Sequence, residues 1–291
     1  MKNINFIGKR KIAIIFSLIL IVLSAIFIFG FKGLNFGIDF AGGALVQIKF
    51  KQKITINDLE KMRTLFKKKG LVVDIQHLGE KEDEVMVKTK ATKKKDVSRQ
   101  IEVVIRKDFQ DFIILRSEMV GPAIGKELKK LALYSVIFSI IGMLLYITIR
   151  FEYRFAVAAI VALIHDVVVA TGAISATGWE FNIPIVAALL TISGYSINDT
   201  IVVFDRIREN RKVMRNLSFP EMVNVSINLS LSRTLITSLT TIFAVISLLV
   251  FGGEVVRGFA FTLLVGVTVG TYSTIFVASP LLVEWHLYKE K

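Results

Sequence analysis

The chain has no cysteine. A disulfide framework and a thiolate metal site are therefore excluded, because both require the cysteine sulfur. Internal repeats, low-complexity linkers and heptad arrays are also missing from the sequence. We find no nucleophile–base pair and no metal-binding cluster, so we expect a protein that is not an enzyme and that holds no cofactor.

Charge is missing from several long stretches, and this absence indicates the class of protein. Hydrophobic residues make up 53% of the 291 residues, and residues 12–31 contain no charge. A helix of roughly 20 apolar residues crosses about 30 Å of hydrocarbon. The first such stretch is too long for a signal-peptide core and lacks a small-residue cleavage site, so we interpret it as an uncleaved signal anchor. We predict six transmembrane helices, at about 12–31, 131–149, 156–178, 183–204, 234–252 and 259–283.

Positive charge predicts the orientation of these helices. Lys and Arg concentrate before the first helix, after the second and after the fourth, which assigns these segments to the cytoplasm. We therefore expect cytoplasmic termini at 1–11 and 284–291, with residues 32–130 on the outer side. Long segments are translocated whatever their charge, so the net charge of +8 in 32–130 (22 basic minus 14 acidic residues) does not contradict this orientation.

The outer segment has the pattern of a small folded domain. Strand-like stretches occur at 44–50, 71–78, 84–90 and 111–119. The stretch INDLEKMRTLFKKKG predicts a helix with Asn57 and Glu60 as its capping pair, and a second helix is predicted at about 94–109. The order β-α-β-β-α-β predicts a small α+β ferredoxin-like domain. The segment shows no aromatic and basic stacking surface, so we predict no nucleic-acid partner.

Two glycine-rich segments do not match nucleotide-binding loops. GPAIGKEL has three residues between its glycines where a phosphate-binding loop has four, and Glu127 replaces the magnesium-binding Ser or Thr. NFGIDFAGG lacks the spacing of a dinucleotide-binding turn and opens no helix. Its glycines at Gly37, Gly42 and Gly43 suit a chain that turns sharply as it leaves the membrane.

Ionisable residues inside the predicted helices indicate function. His165 and Asp166 lie in the third helix, Asp199 lies in the fourth, and Arg233 opens the fifth. A charge at the centre of a bilayer costs on the order of 2.5–3.5 kcal/mol on insertion scales, whereas a membrane hydrogen bond contributes only about 0.6 kcal/mol. We interpret Asp199 as a proton site whose charge state switches its pairing with Arg233. The structural alternative is a carboxylate that joins helices through Asn198, serines and Arg233.

Small and hydroxyl residues occupy the same helices. Thr200 follows Asp199 and belongs to a polar side of the fourth helix. Gly266 and Gly270 stand four residues apart in the sixth helix, a spacing that lets two helices approach closely.

Five segments stand out in chain order, namely GLNFGIDFAGG, GPAIGKEL, LIHDV, SINDTIVVFDRIREN and SRTLITSLTT. Together they resemble the SecF family of bacterial protein-translocase subunits. The resemblance covers nearly the whole chain. The first segment has Asn35 where relatives often have Asp, but it keeps Gly37, Asp39, Gly42 and Gly43. The family's proton relay maps onto four residues of this chain, namely Asp199 in its Asn-Asp-Thr motif, Arg233, and the pair His165 and Asp166.

The resemblance implies a fold and a set of partners. The fold is half of an RND-type (resistance–nodulation–division) membrane core in the bacterial cytoplasmic (inner) membrane, and SecD completes it. The complex couples inward proton flow to movement of its outer domains, which draws unfolded preproteins outward after SecA and SecYEG have begun the transfer. YajC or YidC are further expected partners, and the proton is the expected coupling ion.

Two other functions remain open. The first is a half-size proton-driven exporter of small molecules or lipids from the same superfamily. Such exporters usually carry two six-helix halves and larger outer domains. The second is a non-transporting assembly subunit, in which Asp199 merely joins helices to a partner.

Overall fold

A computed structural model describes residues 4–31, 33–78, 82–90, 97–109 and 111–289. The chain divides into two compact units. We call residues 1–35 together with 134–291 the helical unit, and residues 36–133 the sheet unit.

The secondary structure is mainly helical. The described helices are α1 (Arg10–Ala25), α2 (Ile38–Ala41), α3 (Ile56–Lys68), α4 (Val97–Ile105), α5 (Pro122–Arg150), α6 (Tyr153–Thr177), α7 (Ile183–Val213), α8 (Phe219–Phe251), α9 (Gly253–Ser273) and α10 (Ser279–Lys289). A 3₁₀ turn, Ile7–Lys9, precedes α1, and π-helical turns follow α1 at Ile26–Gly30 and α9 at Thr274–Ala278. The strands are β1 (Asn35–Phe36), β2 (Gly43–Phe50), β3 (Val73–Leu78), β4 (Glu84–Lys90), β5 (Phe112–Val120) and β6 (Glu180–Phe181).

Six helical stretches of the described residues are long and apolar enough to cross a membrane. They are Ile7–Gly30, Pro122–Arg150, Tyr153–Thr177, Ile183–Val213, Phe219–Phe251 and Val256–Tyr288. The predicted number of apolar spans is therefore confirmed.

The helices extend beyond the apolar windows from which they were predicted. The clearest case is α8, which begins at Phe219, whereas the apolar window begins at residue 234. The helix begins where its first turn is capped, since the Ser218 amide donates to the Glu221 carboxylate at 3.1 Å. A polar turn satisfies the same backbone bonds as an apolar one, so hydropathy locates only the apolar part of a helix.

Helix α6 forms the centre of the helical unit. It packs against α1, α7 and α9, and its interior face carries small buried side chains at Ala156, Ala158, Ala159 and Ala162. By contrast, most side chains of α5 and α8 are accessible. The apolar faces of these two helices are therefore available to lipid or to another protein.

Glycines allow α7 and α9 to approach closely. A methyl group at Gly266 would overlap the side chain of Ile192, and one at Gly270 would lie 3.0 Å from Cβ of Ser196. The two helices therefore meet with almost no side chain between them on the α9 side.

Two asparagines of α8 bind the backbone that precedes α1. The Asn228 amide accepts from the Ile4 N–H at 2.9 Å and donates to the Ile4 carbonyl at 2.9 Å. The Asn224 amide accepts from the Phe6 N–H at 2.8 Å and also donates to the Ile4 carbonyl, at 3.0 Å. The side chains of Phe6 and Ile7 are buried. The segment from Ile4 to Ile7 is therefore fixed to α8 by both polar and apolar contacts.

The sheet unit contains a four-stranded sheet with the order β3-β4-β2-β5. All three neighbouring pairs are antiparallel. Alternate residues of β2 point into a core that α3 and α4 cover, and this core includes Val46, Ile48, Met62, Phe66 and Ile101. The four strands and two helices follow each other along the chain as β-α-β-β-α-β. Residues 94–96 of the second predicted helix lie outside the described residues.

The predicted capping pair of α3 is wrong. Thr55, not Asn57, is the N-cap, and its hydroxyl accepts from the Asp58 N–H at 3.3 Å while its own N–H donates to the Asp58 carboxylate at 2.9 Å. The hydroxyl and amide of Thr55 lower the pKa of Asp58. Both members of the pair are shifted two residues towards the N-terminus because the helix begins at Ile56.

The glycine-rich segment at residues 35–43 packs against the start of α5. Gly42 and Gly43 have φ angles of 75° and 156°, which favour glycine, and they follow the single turn of α2. A methyl group at Gly125 would lie 3.0 Å from the Phe40 carbonyl oxygen and 3.1 Å from the Gly42 nitrogen. One turn later, Lys129 Nζ lies 3.8 Å from the centre of the Phe36 ring. The first turns of α5 therefore contact the backbone of this segment directly.

Replacing Gly125 by alanine tests this close approach. The added methyl has no room beside Phe40, so we expect Gly125→Ala to destabilise the sheet unit by about 1–3 kcal/mol. In the full chain this would appear as faster amide hydrogen exchange in β2. The matched control is Gly142→Ala in the same helix, where nothing lies within 4 Å of the new methyl. Equal exchange rates in the two variants would contradict the predicted contact.

Candidate functional site

The most deeply buried ionisable group in the spans is Asp166, in the middle of α6. Its side chain is 0% exposed, and that of the preceding His165 is 2% exposed. Small and apolar neighbours, Ala162, Leu163 and Ala170, surround this pair on the buried face of the helix. A carboxyl group in such a place needs polar partners, since an uncompensated buried charge is costly.

Partners from two further helices meet the carboxyl group of Asp166. Ser196 of α7 donates to Oδ2 at 2.6 Å, and Ser273 of α9 donates to the same oxygen at 2.7 Å. The other oxygen, Oδ1, lies 2.9 Å from Nδ1 of His165. One carboxyl group thus holds α6, α7 and α9 together. Hydrogen bonds to a charged group contribute about 1.5–3 kcal/mol each.

Three consecutive residues at the junction of α9 and the π-helical turn contact three different elements. The Tyr272 hydroxyl donates to the Ala13 carbonyl of α1 at 2.9 Å and lies 3.0 Å from Ser17 Oγ. Ser273 reaches Asp166, and the Thr274 hydroxyl lies 2.9 Å from that of Thr200 on α7. The π-helical turn begins at Thr274. Such turns are frequent at functional sites because they interrupt the regular helical bonds.

Asp199 lies in a different environment from Asp166. It is 5% exposed, and its Oδ2 atom is buried without a hydrogen-bond partner among the described residues. Arg233 is exposed on α8, and no ion pair within 4.0 Å joins it to Asp199 in the described part of the chain. Asn198 is exposed on α7. Among the described residues, Asp199 and Arg233 are therefore close enough to interact electrostatically but make no direct ion pair.

The sequence interpretation missed the donors from α9. Ser273 and Tyr272 belong to an apolar run, and their importance comes from contacts with residues 107 and 259 positions away. The available signal was the run of hydroxyl residues Thr268, Thr271, Tyr272, Ser273, Thr274 and Ser279 within that stretch.

Comparison with known proteins relates this arrangement to a family. Residues 100–288 match the family model described as protein export membrane protein SecD/SecF, C-terminal, and residues 27–54 match the SecD/SecF GG motif. The chain is 46% identical over 287 residues to the protein translocase subunit SecF of Calditerrivibrio nitroreducens, covering 96% of this chain and 93% of that protein. The chain belongs to the SecF family.

Further relatives show how the family is organised. The SecF protein of Vibrio alginolyticus is 43% identical over 296 residues, which cover 99% of this chain and 92% of that protein. The protein translocase subunit SecDF of Thermus thermophilus is 42% identical over 290 residues, but these are only 38% of its length. Its crystal structure, described as a translocon-associated membrane protein, matches 98% of this chain with a TM-score of 0.86 and 41% identity. The chain spans 39% of that solved chain. These relatives are translocase subunits, not classical enzymes.

Removal of one donor to Asp166 tests the network. We expect Ser273→Ala to lower the stability of the helical unit by about 1–3 kcal/mol, because it leaves Asp166 with one donor fewer. Thermal unfolding of the purified chain in detergent, followed by circular dichroism, measures this change. The control is Thr268→Ala, an exposed position of α9 whose hydroxyl donates to the Leu264 carbonyl of its own helix at 2.7 Å. Equal melting temperatures for the two variants would contradict the prediction.

Proposed function

We propose that the protein is the SecF subunit of a SecDF-type accessory complex, which uses the proton-motive force to assist preprotein export across the bacterial cytoplasmic membrane. One observation carries the proposal: the buried Asp166 carboxyl group accepts from Ser196 and Ser273 and so joins three helices. A change of charge at or beside such a group alters the electrostatic interactions between the helices that it joins, which is what coupling of a proton to movement requires. Membership of the SecF family supports the same function.

The surroundings of Asp199 support a role as a second proton site. A neutral carboxyl group tolerates a buried, unpartnered oxygen far better than an ionised one does. The arrangement described here therefore suits the protonated form of Asp199. In the ionised form, the carboxylate would attract Arg233 of the neighbouring helix α8. Protonation and deprotonation would thus alternately release and recruit the arginine.

The energy available from one proton is sufficient for this coupling. Moving one elementary charge through 100 mV supplies about 2.3 kcal/mol. This energy shifts a conformational equilibrium roughly fifty-fold, which lies within the range of typical allosteric coupling.

The partners and location belong to the same proposal. Pairing with SecD is supported by the Thermus SecDF protein, of which this chain matches only 38%. Action after SecA and SecYEG, on an unfolded preprotein at the outer face and with YajC or YidC nearby, rests on the family resemblance. Cytoplasmic termini follow from the distribution of Lys and Arg.

The sheet unit is proposed to be an extracytoplasmic ferredoxin-like domain. Its strand order β3-β4-β2-β5, with every neighbouring pair antiparallel, supports this assignment. In a split βαβ unit, one strand lies between two parallel strands that a helix connects. Here β4 separates β2 from β3, which α3 connects.

Neutralising Asp199 tests the proposed function. We expect Asp199→Asn to assemble with its partner but to export preproteins slowly and without response to collapse of the proton gradient. The assay compares preprotein export in membrane vesicles at equal expression, with and without an ionophore. The control is Glu209→Gln, which removes a 63% exposed carboxylate from the same helix α7.

Normal, gradient-sensitive export in Asp199→Asn would count against Asp199 as the coupling carboxyl group. The relay would then run through Asp166, His165 or the partner. An assembly subunit without transport function would behave in the same way in wild type and variant, and neither would respond to the ionophore.

A further inference from the structure

The two ring nitrogens of His165 have different surroundings. Nδ1 lies 2.9 Å from Oδ1 of Asp166. Nε2 is buried and has no hydrogen-bond partner among the described residues. Because the whole side chain is only 2% exposed, the free nitrogen is also largely shielded from solvent. A buried polar atom without a partner is unusual and calls for a functional explanation.

The carboxyl group of Asp166 has little room for a proton of its own. Oδ2 already accepts from Ser196 and Ser273. A proton on Oδ2 would require one serine to change from donor to acceptor. Ser273 could do this only by redirecting its hydrogen to the Gly270 carbonyl, which lies 3.1 Å away. Oδ1 faces Nδ1, so these two atoms share a single proton between them.

Nε2 is the ring nitrogen at which the pair can take up a proton without rearrangement of its hydrogen bonds. With a hydrogen on Nδ1 and none on Nε2, the imidazole is neutral and the pair carries the charge of the carboxylate. Addition of a proton to Nε2 produces an imidazolium next to the carboxylate, and the pair becomes neutral overall. All three hydrogen bonds to Asp166 survive this step.

We propose that the His165–Asp166 pair gains and loses its proton at Nε2 of His165, while Asp166 remains a carboxylate that positions the ring and the two serines. This inference rests on the proposed proton coupling and specifies the atom that carries it. Asp166 is then a positioning residue, and His165 is the group that changes charge.

The neighbouring elements leave Nε2 available for this exchange. The aromatic ring of Tyr272 on α9 lies 6.3 Å from the His165 ring, centre to centre. Its hydroxyl already donates to the Ala13 carbonyl, so it can only accept from Ser17 of α1 and has no hydrogen left for Nε2. On α7, Asp199 is the buried titratable group of the described residues. Arg10 and Glu284, from α1 and α10, pair with each other at 2.6 Å.

Nitrogen NMR of the wild-type chain tests the assignment directly. The sequence has three histidines, His77, His165 and His286, so ¹⁵N-labelled histidine gives few signals. The full chain is reconstituted in lipid bilayers, and the His165 signals are identified by their loss in His165→Asn. On acidification we expect Nε2 to change from unprotonated to protonated while Nδ1 stays protonated. In infrared difference spectra of the wild type, we expect no carboxylic acid band from Asp166 to appear on acidification. Such a band would be recognised by its loss in Asp166→Asn.

Two results would overturn the inference. The first is an Nε2 that is protonated throughout, together with a carboxylic acid band assigned to Asp166, which would place the exchanged proton on the carboxyl group. The second is the absence of any protonation change at His165 over the pH range in which the protein stays folded. In either case proton coupling through the carboxyl groups would be unaffected, because gradient-dependent export measures it separately.

A variant at position 165 separates the ring's two roles. In His165→Asn the side-chain amide can replace Nδ1 as a donor to Asp166, but it has no group at Nε2 that takes up a proton. We expect this variant to keep the melting temperature of the wild type and to lose the gradient-dependent part of export. Retention of gradient-dependent export in a folded His165→Asn protein would overturn the assignment to Nε2.

Discussion

The bond between one carboxyl group and two serines on other helices determines how the helical unit is organised. Asp166 has no exposed surface, so its polar atoms must be satisfied from within the protein. The hydroxyls of Ser196 and Ser273 donate the hydrogen bonds that the carboxyl group needs. These bonds require α7 and α9 to lie close to α6. The glycines of α9 make the approach possible because they remove the side chains that would otherwise separate it from α7. In this region, the close packing of the helices and the hydrogen bonding of Asp166 therefore depend on each other.

The membrane spans could be predicted from the sequence because insertion into lipid depends on local composition. The ends of the helices could not, since a helix such as α8 begins at the capping interaction of Ser218 and Glu221, well before its apolar run. The same reason explains the error at α3, where Thr55 and Asp58 form the cap. Short polar sequences contain several possible caps, and tertiary packing selects among them.

The charged members of the site could be recognised, but the hydrogen-bond contacts of each could not. Asp166 is conspicuous in an apolar helix, whereas its donors lie 30 and 107 positions away in the chain. Asp199 and Arg233 have opposite charges and neighbouring helices, yet one side chain is buried and the other exposed. Pairing depends on rotation about each helix axis as well as on depth. That rotation is set by the whole bundle, so it is not evident from spacing alone.

The binding of Ile4 by two asparagines limits which amino acids can replace it. Asn224 and Asn228 contact only its backbone, and the side chain is 45% exposed. The position should therefore accept side chains of many sizes and polarities in a natural population. Proline is the exception, because it lacks the N–H that Asn228 accepts. The selective pressure on the interaction thus falls on the two asparagines, and variation at residue 4 is a poor guide to its importance.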